Sequence, residues 1–122
     1  MATIALGAQS FERTVTTNGI VFVDFWAAWC GPCRQFAPTY ERASEAHPDI
    51  VFGKVDTEAE RALAGAANIT SIPTLMAFRD GVGVFAQPGA LPAQALEQVI
   101  QAVRDLDMDE VRKDIEEQRQ AG

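Results

Sequence analysis

The fold of this chain is decided by residues 20–33, which read IVFVDFWAAWCGPC. Residues 20–26 are apolar, β-branched or aromatic apart from Asp24, and such a run predicts a central strand that is buried on both faces. A short turn and a helical pattern follow, so that Cys30 and Cys33 stand at the start of the predicted helix. A Cys-x-x-Cys pair directly after a strand is typical of redox chemistry.

The spacing of the two cysteines indicates what they do. Residues three positions apart share one helical turn, where a disulfide closes with little movement of the backbone. Pro32 has a fixed φ and no N–H, which suits the first turn of a helix. Cys30 is therefore expected at the helix N-terminus, where free N–H groups and the helix dipole favour the reactive thiolate. We expect Cys33, one turn further in and more buried, to attack a mixed disulfide formed at Cys30.

Two other interpretations of the pair are structural thiols and half of a zinc site. A structural zinc ion needs four ligands, and the chain offers no third cysteine and only one histidine, His47. The redox interpretation is therefore favoured over both, and we predict no metal site.

The residues around the cysteines resemble those of a known family. The WCGPC motif at residues 29–33 resembles the active site of the thioredoxins, and VDFWA at residues 23–27 is similar to the strand before it. The IPT sequence at residues 72–74 resembles the thioredoxin loop whose proline is cis, although trans is the default from sequence alone. The resemblance extends over about residues 10–103.

Two charged residues in predicted buried strands are further candidates for the chemistry. An isolated carboxylate at Asp24 is costly to bury, so we expect burial to raise its pKa unless the side chain is paired or hydrated. The resemblance implies that Asp24 helps to move a proton to or from Cys33 through water, and that Lys54 pairs with Asp24. The alternative is that both side chains face solvent on a half-exposed sheet.

The resemblance also implies a substrate-binding surface around the disulfide. It consists of Trp29, Gly31, Pro32, Ile72, Pro73, Pro88 and Gly89. A cis Ile72–Pro73 peptide leaves the backbone of Ile72 free to pair with an extended substrate. Pro88 departs from the family, which often has valine there, so that substrate preference is expected to shift. We expect Trp29 to be half exposed and Trp26 to belong to the core.

The pattern along the chain predicts alternating strands and helices. The predicted strands are Thr3–Leu6, Ile20–Trp26, Ile50–Asp56, Thr74–Phe78 and Val82–Ala86, and the predicted helices are Ala8–Thr17, Pro32–Ala46, Thr57–Ala67 and one from Pro92. Asn18 and Gly19 end the first helix with positive φ, and Asp80 and Gly81 form a two-residue hairpin turn. Thr57 caps the third helix in a capping box with Glu60.

This order predicts an α/β fold. Early strands that alternate with helices pair in parallel through right-handed crossovers, and the final hairpin adds antiparallel strands. The resemblance implies the thioredoxin fold, a five-stranded mixed sheet flanked by four helices on both faces, with a short C-terminal helical extension.

The chain divides into residues 1–106, the thioredoxin-like domain, and residues 107–122, a charged tail that is expected to be helical. Asp107 and Glu110 are spaced as a capping box, and Val111 and Ile115 form the one apolar pair at i,i+4 in the tail. We expect a solvated helix, and a partner-docking or dimer helix is the alternative.

The length, charge and composition of the chain argue against several classes of function. The chain has 122 residues, enough for one domain with a full core, and its net charge of −7 argues against nucleic-acid binding on electrostatic grounds. No apolar run is long enough to span a bilayer, and residues 1–6 do not resemble a signal peptide. Two cysteines in one motif fit a reducing compartment, so we expect a cytoplasmic protein. We also expect a monomer.

The resemblance implies a dithiol–disulfide oxidoreductase that reduces protein disulfides and carries no cofactor. The implied partners are disulfide-containing proteins and an NADPH-dependent flavoprotein, thioredoxin reductase, that reduces the pair again. Family members that act as oxidants or isomerases often have histidine where Pro32 stands, which favours a reductant here. An oxidant or isomerase remains one alternative, and a binding module that works without its thiols remains another.

Overall fold

The computed structural model describes residues 2–121 of the chain. Its elements follow the order β-α-β-α-β-α-β-β-α-α. They are β1 (Thr3–Ala5), α1 (Phe11–Thr17), β2 (Ile20–Trp26), α2 (Gly31–Ala46), β3 (Val51–Asp56), α3 (Arg61–Ala66), β4 (Thr74–Arg79), β5 (Val82–Pro88), α4 (Ala93–Arg104) and α5 (Met108–Ala121). The predicted α/β fold with a helical extension is confirmed.

The five strands form one mixed sheet in the order β1-β3-β2-β4-β5. Strands β1 and β3 run parallel to β2, whereas β4 is antiparallel to both β2 and β5. The apolar strand β2 is therefore central, and its register places Asp24 between Lys54 of β3 and Leu75 of β4. Because β2 is central and covered on both faces, its side chains are apolar apart from Asp24.

Both faces of β2 are covered, because its side chains alternate between two cores. On one face Phe22 packs with Phe36 and Tyr40 of α2 and Leu96 of α4. On the other face, Val21, Val23 and Phe25 pack against Phe11 and Val15 of α1 and Leu63 of α3. Asp24 shares the parity of Phe22, so its carboxylate lies on the side of α2 and α4.

Helix α1 ends at Thr17 as predicted, but its start and the conformation of Asn18 after its end differ from the prediction. It begins at Phe11 rather than Ala8, because residues 8–10 form turns. Asn18 was expected to take positive φ, but its φ is −123°. Its side-chain amide instead donates to the Thr14 carbonyl at 2.8 Å, which satisfies the helix end without a left-handed residue.

The predicted capping box at Thr57 is wrong, since α3 begins only at Arg61. The Thr57 hydroxyl donates to the Trp26 carbonyl at 3.0 Å, and Glu60 Oε1 accepts from the Ala8 N–H at 2.8 Å. Both side chains thus bind distant segments. The turn before α3 is held by Asp56, whose carboxylate accepts from the Glu58 N–H at 2.9 Å.

The hairpin between β4 and β5 follows the prediction. Asp80 and Gly81 have φ of +54° and +82°, which matches the type I′ turns that join antiparallel strands in two residues. Helix α2 runs through Pro38 without ending. No helix within residues 2–121 is long and apolar enough to cross a membrane.

Helix α5 confirms that the tail is helical. Asp107 caps it by accepting from the Asp109 N–H at 3.0 Å. Met108 is the one residue of α5 whose side chain is buried, while Ile115 is 37% exposed. The Arg79 guanidinium of β4 donates to the Val103 carbonyl at 2.8 Å and to the Leu106 carbonyl at 3.3 Å, which fastens the end of α4 next to the tail.

Candidate functional site

Cys30 and Cys33 form a disulfide at the start of α2, with their Cα atoms 5.2 Å apart. Cys30 is the N-cap residue, and its Sγ accepts a hydrogen bond from the Cys33 N–H at 3.2 Å. The position predicted for Cys30 is therefore confirmed. Cys33 was expected to be the more buried of the two, but the exposed fractions of 4% and 3% do not separate them.

The turn between β2 and α2 is held by hydrogen bonds to two of its backbone carbonyls. The Cys30 N–H donates to the Ala27 carbonyl at 3.2 Å, and the Arg34 guanidinium donates to the Ala28 carbonyl at 2.8 Å. Trp29 is 66% exposed, more than the half expected, so its indole forms a free apolar surface beside Cys30. Such an exposed aromatic ring suits contact with another protein.

The loop before β4 faces Cys30. The Ile72–Pro73 peptide is cis, as the resemblance implied, and the Ile72 carbonyl oxygen lies 3.7 Å from Cys30 Sγ. The Gly89 N–H donates to the Pro73 carbonyl at 2.8 Å, which joins the end of β5 to this loop. Gly89 has φ of +104°, a conformation that residues with a Cβ rarely adopt.

A groove of about 610 Å³ opens next to the disulfide. Four of the predicted substrate-binding residues line it together with Cys30: Trp29, Gly31, Pro32 and Ile72. Pro73, Pro88 and Gly89 adjoin the same loop without lining the groove. The opposite wall was missed from the sequence, because its residues belong to no motif. It includes Glu58, Arg61, Ala64 and Gly65, of which the last three share one face of α3 by their spacing.

Asp24 is fully buried, and neither carboxylate oxygen has a hydrogen-bond partner within residues 2–121. Burial raises its pKa to about 7, and the charge of Lys54 opposes this in part. The expectation that burial raises the pKa of Asp24 is confirmed. The alternative that Asp24 faces solvent is wrong.

Lys54 is only partly buried, and within the described part of the chain it makes no direct ion pair with Asp24. Its Nζ lies 4.9 Å from the centroid of the Trp26 ring, a cation–π distance. The implied pairing is thus a longer-range attraction. Trp26, expected in the core, is also partly buried. Both residues line a depression of about 460 Å³ beside β1, which gives Lys54 access to solvent.

His47 lies far along α2, at its C-cap, where the sequence predicted only a surface residue. Arg104 Nη2 donates to His47 Nδ1 at 2.9 Å, so the other ring nitrogen carries the proton toward Glu97 at 2.8 Å. Arg104 also binds Asp49, which lowers the pKa of that carboxyl to about 2. No group of three potential metal ligands occurs among residues 2–121.

Comparison with known proteins places this geometry in context. The family model described as Thioredoxin matches residues 2–102. "Putative thioredoxin 2" of Streptomyces coelicolor is 62% identical over 122 residues, covering 99% of this chain and 91% of that protein. The thioredoxin of Bacillus subtilis is 37% identical over 101 residues, which cover 82% of this chain and 96% of the relative.

Solved structures agree with the sequence comparison. A structure of Plasmodium falciparum thioredoxin superposes with a TM-score of 0.76 at 37% identity, covering 82% of this chain and 97% of that one. A mutant thioredoxin from Halobacterium salinarum superposes with a TM-score of 0.79 at 31% identity, covering 86% of this chain and 93% of that one.

Proposed function

This chain belongs to the thioredoxin family and is a thiol-disulfide oxidoreductase, and from that premise we propose how its residues divide the work of reducing protein disulfides. The observation that carries the proposal is the Cys30–Cys33 pair at the N-terminus of α2, beside an open groove. The reaction is a pair of thiol–disulfide exchanges, so each step breaks one S–S bond and forms another.

Cys30 makes the first attack. In the reduced protein its thiolate is stabilised by the Cys33 N–H, which already points at Sγ, and by the helix dipole. The thiolate attacks one sulfur of the substrate disulfide and forms a mixed disulfide with it. The other substrate sulfur leaves as a thiolate and takes a proton from solvent.

Cys33 resolves the mixed disulfide, and Asp24 assists it. The Cys33 thiol must lose its proton before it attacks Cys30 Sγ, and a carboxylate whose pKa is about 7 is well matched to accept that proton. The charge of Lys54, which lines the depression beside β1, keeps the pKa of Asp24 from rising further, and Asp24 passes the proton on to water. The products are the reduced substrate and the Cys30–Cys33 disulfide.

The substrate lies over the disulfide on the surface formed by Trp29, Gly31, Pro32, Ile72, Pro73, Pro88 and Gly89. The Ile72 carbonyl close to Cys30 Sγ supports this assignment, because an extended substrate chain can pair with that backbone while its cysteine is attacked. Proline at position 88 makes this end of the surface differ from the common family pattern.

The oxidised pair is reduced again by an external donor. Thioredoxins work with thioredoxin reductase and with disulfide substrates in general, and we assign this chain an NADPH-dependent flavoprotein reductase. The protein acts as a cytoplasmic monomer without a cofactor of its own, and residues 1–106 form the redox domain. Residues 107–122 are an appendage that the chemistry does not require.

Separate substitution of the two cysteines tests the proposal. Cys30→Ser should abolish insulin-disulfide reduction and covalent capture of substrates. Cys33→Ser should also fail to turn over, but it still attacks, so it should accumulate protein adducts in cell extract that dithiothreitol dissolves. Equal adduct formation by the two variants would contradict the assigned roles.

Two further measurements distinguish a disulfide reductant from a binding module and from an oxidant or isomerase. If the double Cys→Ser variant keeps the cellular function, the chain acts as a binding module. If the measured reduction potential lies near that of protein disulfide isomerase rather than thioredoxin, the chain is an oxidant or isomerase.

A further inference from the structure

The groove beside the disulfide has one apolar wall and one charged wall. Trp29 and Pro32 form the wall next to Cys30, and neither carries a formal charge, although the exposed Trp29 ring can attract a cation. Apart from Cys30, the ionisable residues among those that line the groove are Glu58 and Arg61, both exposed and both opposite Cys30. Glu58 and Arg61 are therefore the two lining side chains that carry a formal charge, and Arg61 is the one that can attract an anionic substrate group.

The charged wall is fixed relative to the cysteines. Thr57 donates to the Trp26 carbonyl through its backbone N–H at 2.9 Å and through its hydroxyl at 3.0 Å. Trp26 ends β2 shortly before Cys30, so one carbonyl joins the two sides of the groove. Asp56 holds the next turn through the Glu58 N–H. The backbone that carries Glu58 and Arg61 is thus anchored close to the reactive sulfur.

Arg61 has the more favourable position for binding. It is the charged member of the α3 face that also carries Ala64 and Gly65, and these small residues leave room in front of it. An added Cβ at Gly65 would meet no atom within 4 Å. The Arg61 guanidinium has no hydrogen bond or ion pair to any residue within 2–121. A free guanidinium is well suited to bidentate binding of a carboxylate.

We propose that Arg61 is a specificity-determining residue that favours substrates with a carboxylate side chain a few residues from the attacked cysteine. Glu58 on the same wall acts in the opposite direction and favours a cationic side chain. Because the chain carries a net charge of −7, it repels acidic substrates at long range. Arg61 supplies a local attraction that is confined to the groove. This inference rests on the proposed reduction of protein disulfides by Cys30.

The test uses three peptides that share one disulfide and differ in a single residue near the attacked cysteine, which is Glu, Gln or Lys. The protein is reduced beforehand, so no reductase is needed, and kcat/KM is measured for each peptide with dithiothreitol as the regenerating donor. Wild type should reduce the Glu peptide about two- to five-fold faster than the Gln peptide, the range expected for an exposed charge pair. Raising the salt concentration should shrink the difference.

Three variants test whether the charged wall causes the preference for the Glu peptide. Arg61→Gln should remove the preference for the Glu peptide, and Arg61→Lys should keep part of it. Glu58→Gln should weaken reduction of the Lys peptide and sharpen the preference for Glu. Arg13→Gln is the matched control, because Arg13 is an exposed residue of α1 outside the groove and its loss changes the net charge equally. Circular dichroism of each variant checks the fold.

The outcomes separate this inference from the function on which it rests. If wild type reduces all three peptides at one rate, or if Arg61→Gln keeps the preference, the inference is overturned while disulfide reduction stands. If none of the peptides is reduced, the proposed roles of the cysteines fail as well. A preference that Arg13→Gln also removes would be a net-charge effect and would overturn the role of Arg61.

Discussion

Two carboxyl groups, one near each end of helix α2, have opposite environments and opposite pKa shifts. Near its N-terminus Asp24 is buried without a hydrogen-bond partner within residues 2–121, and its pKa rises to about 7. Beyond its C-terminus Asp49 is exposed and bound by Arg104, and its pKa falls to about 2. His47 and Glu97 in the second region are likewise satisfied by partners. The difference teaches that burial without a partner raises the pKa of a carboxyl group into the range suited to proton transfer, whereas an exposed ion pair lowers the pKa out of that range.

The largest effect is expected for Asp24→Ala. The folded pKa of Asp24 is raised, so the stability of wild type is full below the unfolded pKa of about 3.9 and falls as the pH rises through 7. Removing the carboxyl should therefore stabilise the protein above pH 7 by up to about 4 kcal/mol, less about 1 kcal/mol for lost packing. Urea unfolding at pH 4, 5.5 and 8 measures the difference.

The same variant should be a poorer enzyme. Without its proton acceptor, resolution of the mixed disulfide by Cys33 should slow by roughly 100-fold or more at pH 7. Single-turnover kinetics can separate this step from the attack by Cys30. At pH 4 the stabilisation should vanish. Lower stability of Asp24→Ala at pH 8 would show that the carboxylate makes a structural bond.

Gly89→Ala tests the backbone of the loop that faces the disulfide at the N-terminus of α2. Because φ of +104° is rarely adopted by residues with a Cβ, the substitution should cost about 1–3 kcal/mol of unfolding free energy. It should also disturb the Gly89 bond to Pro73 and lower kcat/KM for insulin. Gly19→Ala is the control, since Gly19 has no positive φ and an added Cβ there meets no atom within 4 Å. Equal melting temperatures for the two variants would contradict this account.

Asp49→Asn should have the opposite pH dependence to Asp24→Ala. The folded pKa of Asp49 is lowered, so its contribution is present above the unfolded pKa of about 3.9 and is lost as the pH falls through about 2. The variant should therefore be slightly less stable than wild type at pH 7 and equal to it near pH 2. Disulfide reduction should not change. A slower redox reaction in Asp49→Asn would remove the functional distinction between the two ends of α2.

The smallest effect is expected for removal of the part of the tail that follows Met108. Removing residues 109–122 keeps Met108, so the melting temperature and insulin reduction should hardly change. Removing residues 107–122 also exposes the surface that Met108 covers, which should cost about 1–2 kcal/mol. Calorimetry and sedimentation measure both truncations. A change in oligomeric state on removal of residues 109–122 would instead favour the docking or dimer helix.

Features that depend on local sequence could be predicted. The strand over residues 20–26, the placement of Cys30 at a helix start and the turn at Asp80 and Gly81 each follow from neighbouring residues. The burial of Asp24 could be predicted as well, because the residues that flank it in β2 are apolar on both faces of the strand. The cis peptide before Pro73 came from family resemblance, because trans is the default for that bond.

Features that depend on distant partners could not be predicted. Thr57 and Glu60 match a capping box, yet each bonds a segment that is remote in the sequence. A local feature was missed as well, because the Asn18 side chain binds its own helix and positive φ is not needed there. The charged wall with Arg61 has no motif, and only tertiary folding places it across the groove from Cys30.

The shared Trp26 carbonyl has a consequence for evolution. It accepts both bonds from Thr57 and so fixes the backbone of the charged wall independently of which side chains that wall carries. Substitutions at positions 58 and 61 can therefore drift in duplicated genes without moving the cysteines. A family that keeps one reaction can change its substrate preference in this way, because substitutions at these two positions leave the backbone beside the cysteines in place.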